Sequence, residues 1–313
     1  LLSSPYTKTH RYHIPSKNRS SSGVYADTII AYASTIFQKF RQMNGIDEAS
    51  FAISLGAEQV LGNILLGKMT TLTMQISAGK SGSFFFNSFD GKYFVKTISR
   101  FEKSCLVRIL PQFDQYMRNY CATTLINQFY GFYELNATPF IIMGNIFNTQ
   151  LKIHECFDLK GSSLGRSNST NSGPQKDLDW MKKNRKIRIG PTKRSQLMQQ
   201  IRKDTMFLRD MGVIDYSLLV GIHHMDASSS STLSTRRTAH SYLSTFFGQQ
   251  QDPRRIQQGR FPNGPRFYCT DQGGMRGVDQ YGRPTSEIYF FGIIDILTEF
   301  NLKKGGEYVM RRI

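Results

Sequence analysis

The sequence has no stretch approaching the roughly 20 consecutive apolar residues that a bilayer-spanning helix requires. Its first 22 residues are polar, rich in Ser, His, Lys and Arg, and have no hydrophobic signal core. Cysteine is scarce: Cys105, Cys121, Cys156 and Cys269 are scattered, with no CxxC pair and no metal-like spacing. They read as reduced thiols of a cytosolic protein. No internal repeat is present, and neither an HRD nor a DFG triplet occurs, which disfavours an ordinary protein kinase. Acidic residues are also few, 23 Asp and Glu against 40 Lys and Arg, a net charge of +17.

An excess of that size opposes compaction by self-repulsion, so it points to a polyanionic partner, either nucleic acid or an anionic membrane surface. With 313 residues, 39% of them hydrophobic, the chain can bury a substantial core in one large or two modest domains. The texture divides it. Residues 1–22 are expected to lack structure, and residues 23–160 carry dense apolar periodicity. Residues 161–225 are basic and then strongly apolar. Residues 228–284 hold eight Arg and three Asp with few aliphatics and are expected to form a disordered insert.

The apolar spacing of residues 25–43 predicts a helix, and residues 101–119 another that Pro111 should kink or divide. Residues 193–211 predict a third, stopped by Gly212. Strands are expected at 71–76, 83–87 and 93–98, the last two joined by a turn containing Asp90-Gly91. Further strands are expected at 129–134, 140–146, 216–223 and 288–294. Antiparallel hairpins first and helices later give an α+β, two-lobed architecture rather than a doubly wound sheet.

Residues 77–86, SAGKSGSFFF, contain Gly79, Lys80, Ser81 and Gly82. A P-loop would need glycine at position 74, where Met74 stands; the upstream Gly67-Lys68 pair is followed by Met69 instead of a hydroxyl. A strand–turn–strand setting fits a glycine-rich hairpin over nucleotide phosphates, or an ordinary tight hairpin. Lys96 then ends the apolar strand Tyr93-Phe94-Val95-Lys96. Burying its ammonium requires fixed negative charge, and Glu102, the only carboxylate early in the next helix, is the candidate partner. Phe157–Arg166, FDLKGSSLGR, sets Asp158, Lys160 and Arg166 around small residues, as a phosphate loop or as a plain basic loop. Asp215 in GVIDYSLLVGIHH and Asp295 in FFGIIDIL suggest a base and a magnesium ligand, or two turn carboxylates.

Taken in order, GKSGSFFF, FVKT, FDLKGSSLGR, IDYSLLVGIH and FFGIIDIL resemble the phosphatidylinositol phosphate kinases, from about residue 32 to residue 308. The resemblance implies an ATP cleft between a β-rich N-lobe at 23–146 and a larger C-lobe at 147–313. It implies ATP and Mg2+ as cofactors, Lys96 on the ATP phosphates, and Asp215 as the catalytic aspartate, with Ile214 replacing the usual Met. Asp295 would hold magnesium, Lys160 would contact phosphate, and Arg166 would meet the lipid headgroup. Asn145 and Ile146 fall where the hinge would face adenine. The implied partner is a phosphatidylinositol monophosphate, most like the 4-phosphate, in an anionic membrane, with the enzyme peripheral on the cytosolic face. Nucleic acid is not expected, and the resemblance admits a homodimer. The basic residues 176–209, eleven Lys/Arg against three Asp, suit such a surface. The chain is expected to stop short of the activation loop that selects the headgroup isomer, because only eighteen residues follow Asp295. A 4-kinase acting on the 5-phosphate isomer and a non-catalytic phosphoinositide scaffold are the alternatives.

Overall fold

A computed structural model describes residues 4–14, 27–56, 75–76, 84–88, 90–168, 173–225 and 273–300. The chain divides into two compact units, one of residues 1–119 and 128–145, the other of residues 120–127 and 146–313. Each is α+β and built on its own antiparallel sheet.

The first unit carries strands β1 (Thr9–Ile14), β2 (Asp27–Tyr32), β3 (Gln75–Ile76), β4 (Phe84–Asn87), β5 (Tyr93–Thr97), β6 (Phe129–Leu135) and β7 (Thr138–Gly144). They form one sheet in the order β1-β2-β6-β7-β5-β4-β3. Helices α1 (Ser34–Met43) and α2 (Glu48–Leu55) follow β2, and α3 (Arg100–Tyr120) follows β5. Two hairpins are dictated by turn chemistry. Between β6 and β7, Asn136 and Ala137 both take positive φ, the pair of left-handed residues that a two-residue type I′ turn demands. Between β4 and β5, Asp90 Oδ1 accepts from Ser88 Oγ (2.9 Å) and the Lys92 amide (3.2 Å), and Gly91 takes φ +72°.

Three expectations change here. Residues 25–43 are not one helix. Their first part pairs as β2 with β6, Ile29 opposite Leu135 and Ala31 opposite Tyr133, and the helix starts only at Ser34. A run such as Thr28-Ile29-Ile30-Ala31-Tyr32 is apolar enough for either period, and the neighbouring strands decided. Likewise Thr9–Ile14, inside the segment expected to lack structure, is an edge strand with Thr9 opposite Tyr32. Its sequence alternates too weakly to announce itself, and it exists because β2 offers an open ladder. Pro111 does not divide α3, which runs continuously through it. Cys105, Leu106, Ile109, Leu110, Phe113 and Met117 are almost fully buried and hold both halves on one face.

The second unit carries β8 (Glu155–Leu159), β9 (Ser217–His224), β10 (Met275–Val278) and β11 (Pro284–Ile294), in the order β10-β11-β9-β8. Helices α4 (Asp177–Lys182) and α5 (Gly190–Asp210) lie between β8 and β9. α5 stops where expected: Gly212 adopts φ +67° and its amide returns to the Arg209 carbonyl (2.8 Å). β10 corrects the expected extent of the disordered insert, since Met275 pairs with Tyr289 and Arg276 with Ile288. A glycine-rich, charge-rich stretch hides this strand, and register on β11 supplies what the local sequence does not. Residues 228–272 lie outside the described residues. No helix among the described residues is long and apolar enough to cross a membrane.

Candidate functional site

In the first unit, Lys96 lies on β5 between β4 and β7, opposite Phe85 and Ile141. Its residue is 8% exposed. The ammonium lies 3.3 Å from Glu102 Oε1 and 5.5 Å from the centroid of the Phe85 ring. The expected pair therefore forms. Glu102 also caps its own helix. Its Oε2 accepts the Ser99 amide (2.8 Å), while Ser99 Oγ accepts the Glu102 amide (3.2 Å). This reciprocal capping box starts α3, so the carboxylate that meets Lys96 is held by the end of the helix carrying it. The short link from β5 to α3 sets that geometry, because Ser99 follows the strand by two residues.

Asn145, at the end of the same unit, donates from its side chain to the Gly91 carbonyl (2.8 Å) and from its amide to the Lys92 carbonyl (2.8 Å). It ties the end of β7 to the β4–β5 turn. Ile146 opens the second unit and packs against β11 so closely that a Cβ on Gly292 would stand 2.2 Å from Ile146 Cδ1. That contact explains the glycine in FFGIID, to which the sequence alone assigns no role. Gly79, Lys80, Ser81 and Gly82 lie outside the described residues.

In the second unit the two aspartates come together by topology. β9 begins at Ser217 and antiparallel β11 ends at Ile294, and these two residues face each other in the ladder. Asp215 precedes the first by two residues and Asp295 follows the second by one. Both therefore stand at the same end of neighbouring strands. Beyond them the pairing resumes: the Ile214 amide donates to the Thr298 carbonyl (2.9 Å) and the Phe300 amide to the Gly212 carbonyl (2.8 Å). Asp215 and Asp295 occupy the gap between these two ladders, and each adopts φ +60°. An L-residue in the left-handed region costs on the order of 1 kcal/mol, tolerated best by Asp and Asn, and persists where flanking structure enforces it. Asp295 is exposed and Asp215 half-buried. Both are strand-end residues at the rim of the sheet.

A third strand-like segment braces this end. The Ile293 amide donates to the Leu125 carbonyl (2.7 Å), and the Asn127 amide donates to the Ile293 carbonyl (2.9 Å). Leu125 is fixed in turn by Asp204 of α5, a carboxylate with no exposure. Asp204 accepts from Thr124 Oγ1 (2.7 Å), the Leu125 amide (2.8 Å) and Gln200 Nε2 (2.9 Å). Sequence reasoning missed Asp204; its one signal is a polar pair spaced four apart, Gln200 and Asp204, on the face that includes Leu197 and Leu208.

The DLKGSSLGR loop follows β8. Lys160 is exposed, and its ammonium has no partner among the described residues. Arg166 is turned inward. Its Nε donates to Asp177 Oδ2 (2.9 Å), and its Nη2 donates to both the carbonyl (2.7 Å) and Oδ1 (3.0 Å) of Asp158. The guanidinium expected at the lipid headgroup thus pairs, through Nε and Nη2, with two carboxylates. Asp158 holds the loop through Arg166, in company with Asp177, which sequence reasoning did not single out.

The donor set fits magnesium in one specific way. Among the described residues no group of three or more His, Cys, Asp or Glu side chains could hold a metal by itself. A single exposed carboxylate such as Asp295 is the kind of ligand Mg2+ uses when waters and substrate phosphate oxygens complete its octahedron.

The family model described as Phosphatidylinositol-4-phosphate 5-Kinase matches residues 66–313. A phosphatidylinositol 4-phosphate 5-kinase of Plasmodium falciparum is 29% identical over 96% of this chain and 17% of its own length. The phosphatidylinositol 4-phosphate 5-kinase its3 of Schizosaccharomyces pombe is 30% identical over all of this chain and 46% of its own length. A rat protein named phosphatidylinositol 5-phosphate 4-kinase type-2 beta is 26% identical over 90% of this chain and 70% of its own length. The chain thus spans less than half the length of the first two relatives. The match over most of its residues makes it a member of the phosphatidylinositol-4-phosphate 5-kinase family.

Proposed function

We propose that the protein is an ATP-dependent lipid kinase that phosphorylates phosphatidylinositol 4-phosphate at the 5-hydroxyl, giving the 4,5-bisphosphate. The observation that supports it most is the pairing of Asp215 and Asp295 at one end of adjacent strands, both in left-handed backbone. Two carboxylates held at one end of a sheet are what phosphoryl transfer needs, one for the attacking hydroxyl and one for the metal on the triphosphate.

In this reading Asp215 accepts the proton of the inositol hydroxyl and aims that oxygen at the γ-phosphorus. Asp295 is the protein's magnesium ligand. Bound Mg2+ would neutralise the charge that shifts onto the phosphate oxygens in a loose transition state. Lys96 contributes a second positive charge to the triphosphate, oriented by Glu102. Lys160 offers its ammonium to a phosphate of the headgroup. Asn145 and Ile146 are proposed to border adenine, and Gly79, Lys80, Ser81 and Gly82 to cover the phosphates. The net charge of +17 favours work on a negative leaflet, where each basic residue near the surface adds about 1 kcal/mol. A homodimer belongs to the same proposal.

The test is phosphate transfer from ATP to vesicles carrying each phosphatidylinositol monophosphate in turn, with Mg2+ present and then removed by chelation. Product from the 4-phosphate lipid, lost with the metal, is expected. Product from the 5-phosphate lipid alone would transfer the protein to the activity named in its rat relative. Vesicle binding without product would make it a scaffold. Asp215→Asn and Asp295→Asn are the informative variants, because Asn accepts the left-handed backbone as readily as Asp. Both should fold and lose turnover by about 100-fold or more, in line with general-base and metal contributions. Retained turnover in either refutes its role.

A further inference from the structure

Next to Glu102 in the chain, Lys103 makes a second ion pair, one that the proposed reaction does not use. Its ammonium donates to Glu134 Oε2 and to the Tyr32 hydroxyl (2.7 Å), and that hydroxyl donates in turn to Glu134 Oε2 (3.1 Å). The three groups thus close a triangle in which each meets the other two. The ammonium also lies 4.6 Å from the centroid of the Tyr32 ring, which stacks on Phe132 at 4.5 Å. Lys103 is badly placed for a lysine on two counts. It stands at the start of α3, where the helix dipole repels a cation. Burial also opposes its charge, but the bonds to Glu134 and Tyr32 outweigh it and hold the ammonium above the ordinary lysine range.

Successive residues of a helix point about 100° apart, so Glu102 and Lys103 reach different strands. Glu102 meets Lys96 on β5, while Lys103 meets Glu134 of β6 and Tyr32 of β2, on the far side of β7. The register puts these partners on one face of the sheet. Lys96 stands opposite Ile141, Ile141 opposite Phe132, and Glu134 lies two residues beyond Phe132. Strands lie about 4.8 Å apart, so one helical turn is anchored at two points about 10 Å apart across the sheet. The Pro139 carbonyl, on the residue opposite Glu134, accepts the Ile98 amide (2.9 Å) and binds the link between β5 and α3 to the same corner. The apolar contacts of Leu106, Ile109 and Phe113 hold α3 on the sheet but are non-directional. With one ionic anchor the first turn could still rotate and carry Glu102 away from Lys96; with two, rotation in either sense breaks an ion pair.

We infer that Lys103 is a positioning residue: through Glu134 and Tyr32 it fixes the rotation of the first turn of α3, so that Glu102 keeps the Lys96 ammonium aimed at the triphosphate. Lys103 acts only through Glu102 and contacts neither ATP nor lipid. The inference rests on the proposed lipid kinase reading.

The experiment measures kcat and the lipid KM on vesicles of phosphatidylinositol 4-phosphate, with amide exchange on the same proteins. These are wild type, Lys103→Met, Glu102→Gln, Lys103→Met/Glu134→Gln and Lys103→Met/Glu102→Gln. Misplacing a reacting group by about 1 Å can cost about 100-fold in rate, so Lys103→Met should lower kcat by roughly tenfold or more, with the lipid KM unchanged. Met suits a helix as well as Lys does and removes only the cation. In the Glu102→Gln background, where no charge is left to position, Lys103→Met should lower kcat no further. The Glu102 and Lys103 amides donate to Ser99 Oγ (3.2 Å) and to the Ser99 carbonyl (2.9 Å). Their exchange should accelerate in Lys103→Met while the middle of α3 stays protected. If Lys103→Met leaves Glu134 unpaired and fails to fold, Lys103→Met/Glu134→Gln carries the test, since it strands no charge and should show the same loss of kcat.

A folded Lys103→Met or Lys103→Met/Glu134→Gln protein with wild-type kcat would overturn the inference. So would a full further loss in the Glu102→Gln background, which would make the triangle a support of stability alone. A raised lipid KM at unchanged kcat would assign Lys103 to the substrate surface, and unaltered amide exchange beside a lowered kcat would place its effect outside the first turn; each also overturns it. A wild type that phosphorylates no lipid fails earlier, at the kinase reading, and takes the inference with it, whereas an active wild type matched by the variants sinks the inference alone.

Discussion

Replacing Asp204 with Ala tests how the Asp215–Asp295 end of the second sheet is held. Three donors converge on this fully buried carboxylate: Thr124 Oγ1, the Leu125 amide and Gln200 Nε2. A hydrogen bond to a charged acceptor contributes about 1.5–3 kcal/mol, so three of them are worth at least about 4–5 kcal/mol before any offset. Removing the charge also removes a desolvation penalty of several kcal/mol, and the net loss on breaking such a buried ionic group is about 3–5 kcal/mol. Asp204→Asn should cost less, roughly 2 kcal/mol, since one oxygen remains while the new NH2 faces a donor. The only Trp of the chain, Trp180, stands in this unit with its ring 4.9 Å from that of Phe157, so fluorescence reports the unit's unfolding directly. With a urea slope of about 3 kcal/mol/M, Asp204→Ala should lower the midpoint by about 1 M or more. Because Leu125 hydrogen-bonds Ile293, two residues before Asp295, turnover should fall with stability. A midpoint lowered by less than about 0.3 M at unchanged slope would falsify the claim that Asp204 anchors segment 124–127.

Glu102 separates two roles by chemistry. Glu102→Gln keeps an oxygen for the Ser99 amide and loses the charge beside Lys96, so it should unfold like wild type while phosphoryl transfer drops. Glu102→Ala loses both and should also cost about 1 kcal/mol of stability, the usual value of a helix cap, read by chemical denaturation. For Asp177, burial pushes the carboxyl up, but Arg166 and the Lys160 and Gly161 amides outweigh it and hold the group below the usual carboxylate range. Its stabilising contribution is then complete above the unfolded value of about 3.9 and lost as pH falls through the lower folded value. Protection of the Gly161 amide should therefore survive at about pH 5 and disappear only below about pH 4. His224 behaves differently. Burial holds its imidazole below the ordinary value; Glu287 pulls it up, while Arg185 and Lys183 push it down. Its Nε2 lies 2.8 Å from Glu155 Oε1, and the His154 ring lies 5.6 Å away. The unfolded chain binds this proton more readily, so stability falls as pH drops below about 6.5, and His224→Gln should flatten that slope in a pH series of melting curves.

Local chemistry was enough wherever a few adjacent residues decide the outcome. The Asp90-Gly91 turn, the end of α5 at Gly212, the hairpin of β6 and β7 and the meeting of Lys96 with Glu102 all follow from residues close in the chain. The order of five short motifs named the family, and the match over residues 66–313 agrees. What stayed hidden needed partners far away in sequence. Residues 27–32 look helical until β6, about a hundred residues on, offers them a ladder. β1 and β10 are strands because an edge was open to them. The pairing of Arg166 with Asp158 and Asp177 is invisible in a short motif that shows only an exposed-looking arginine. Asp215 and Asp295, eighty residues apart, share one end of a sheet only because β9 and β11 run antiparallel in a register that sets Ser217 against Ile294. Side-chain type and short spacing determine which chemistry a segment can perform. Strand register and the hydrogen bonds of buried acids decide which residues meet, since each depends on a pairing energy that no local segment contains.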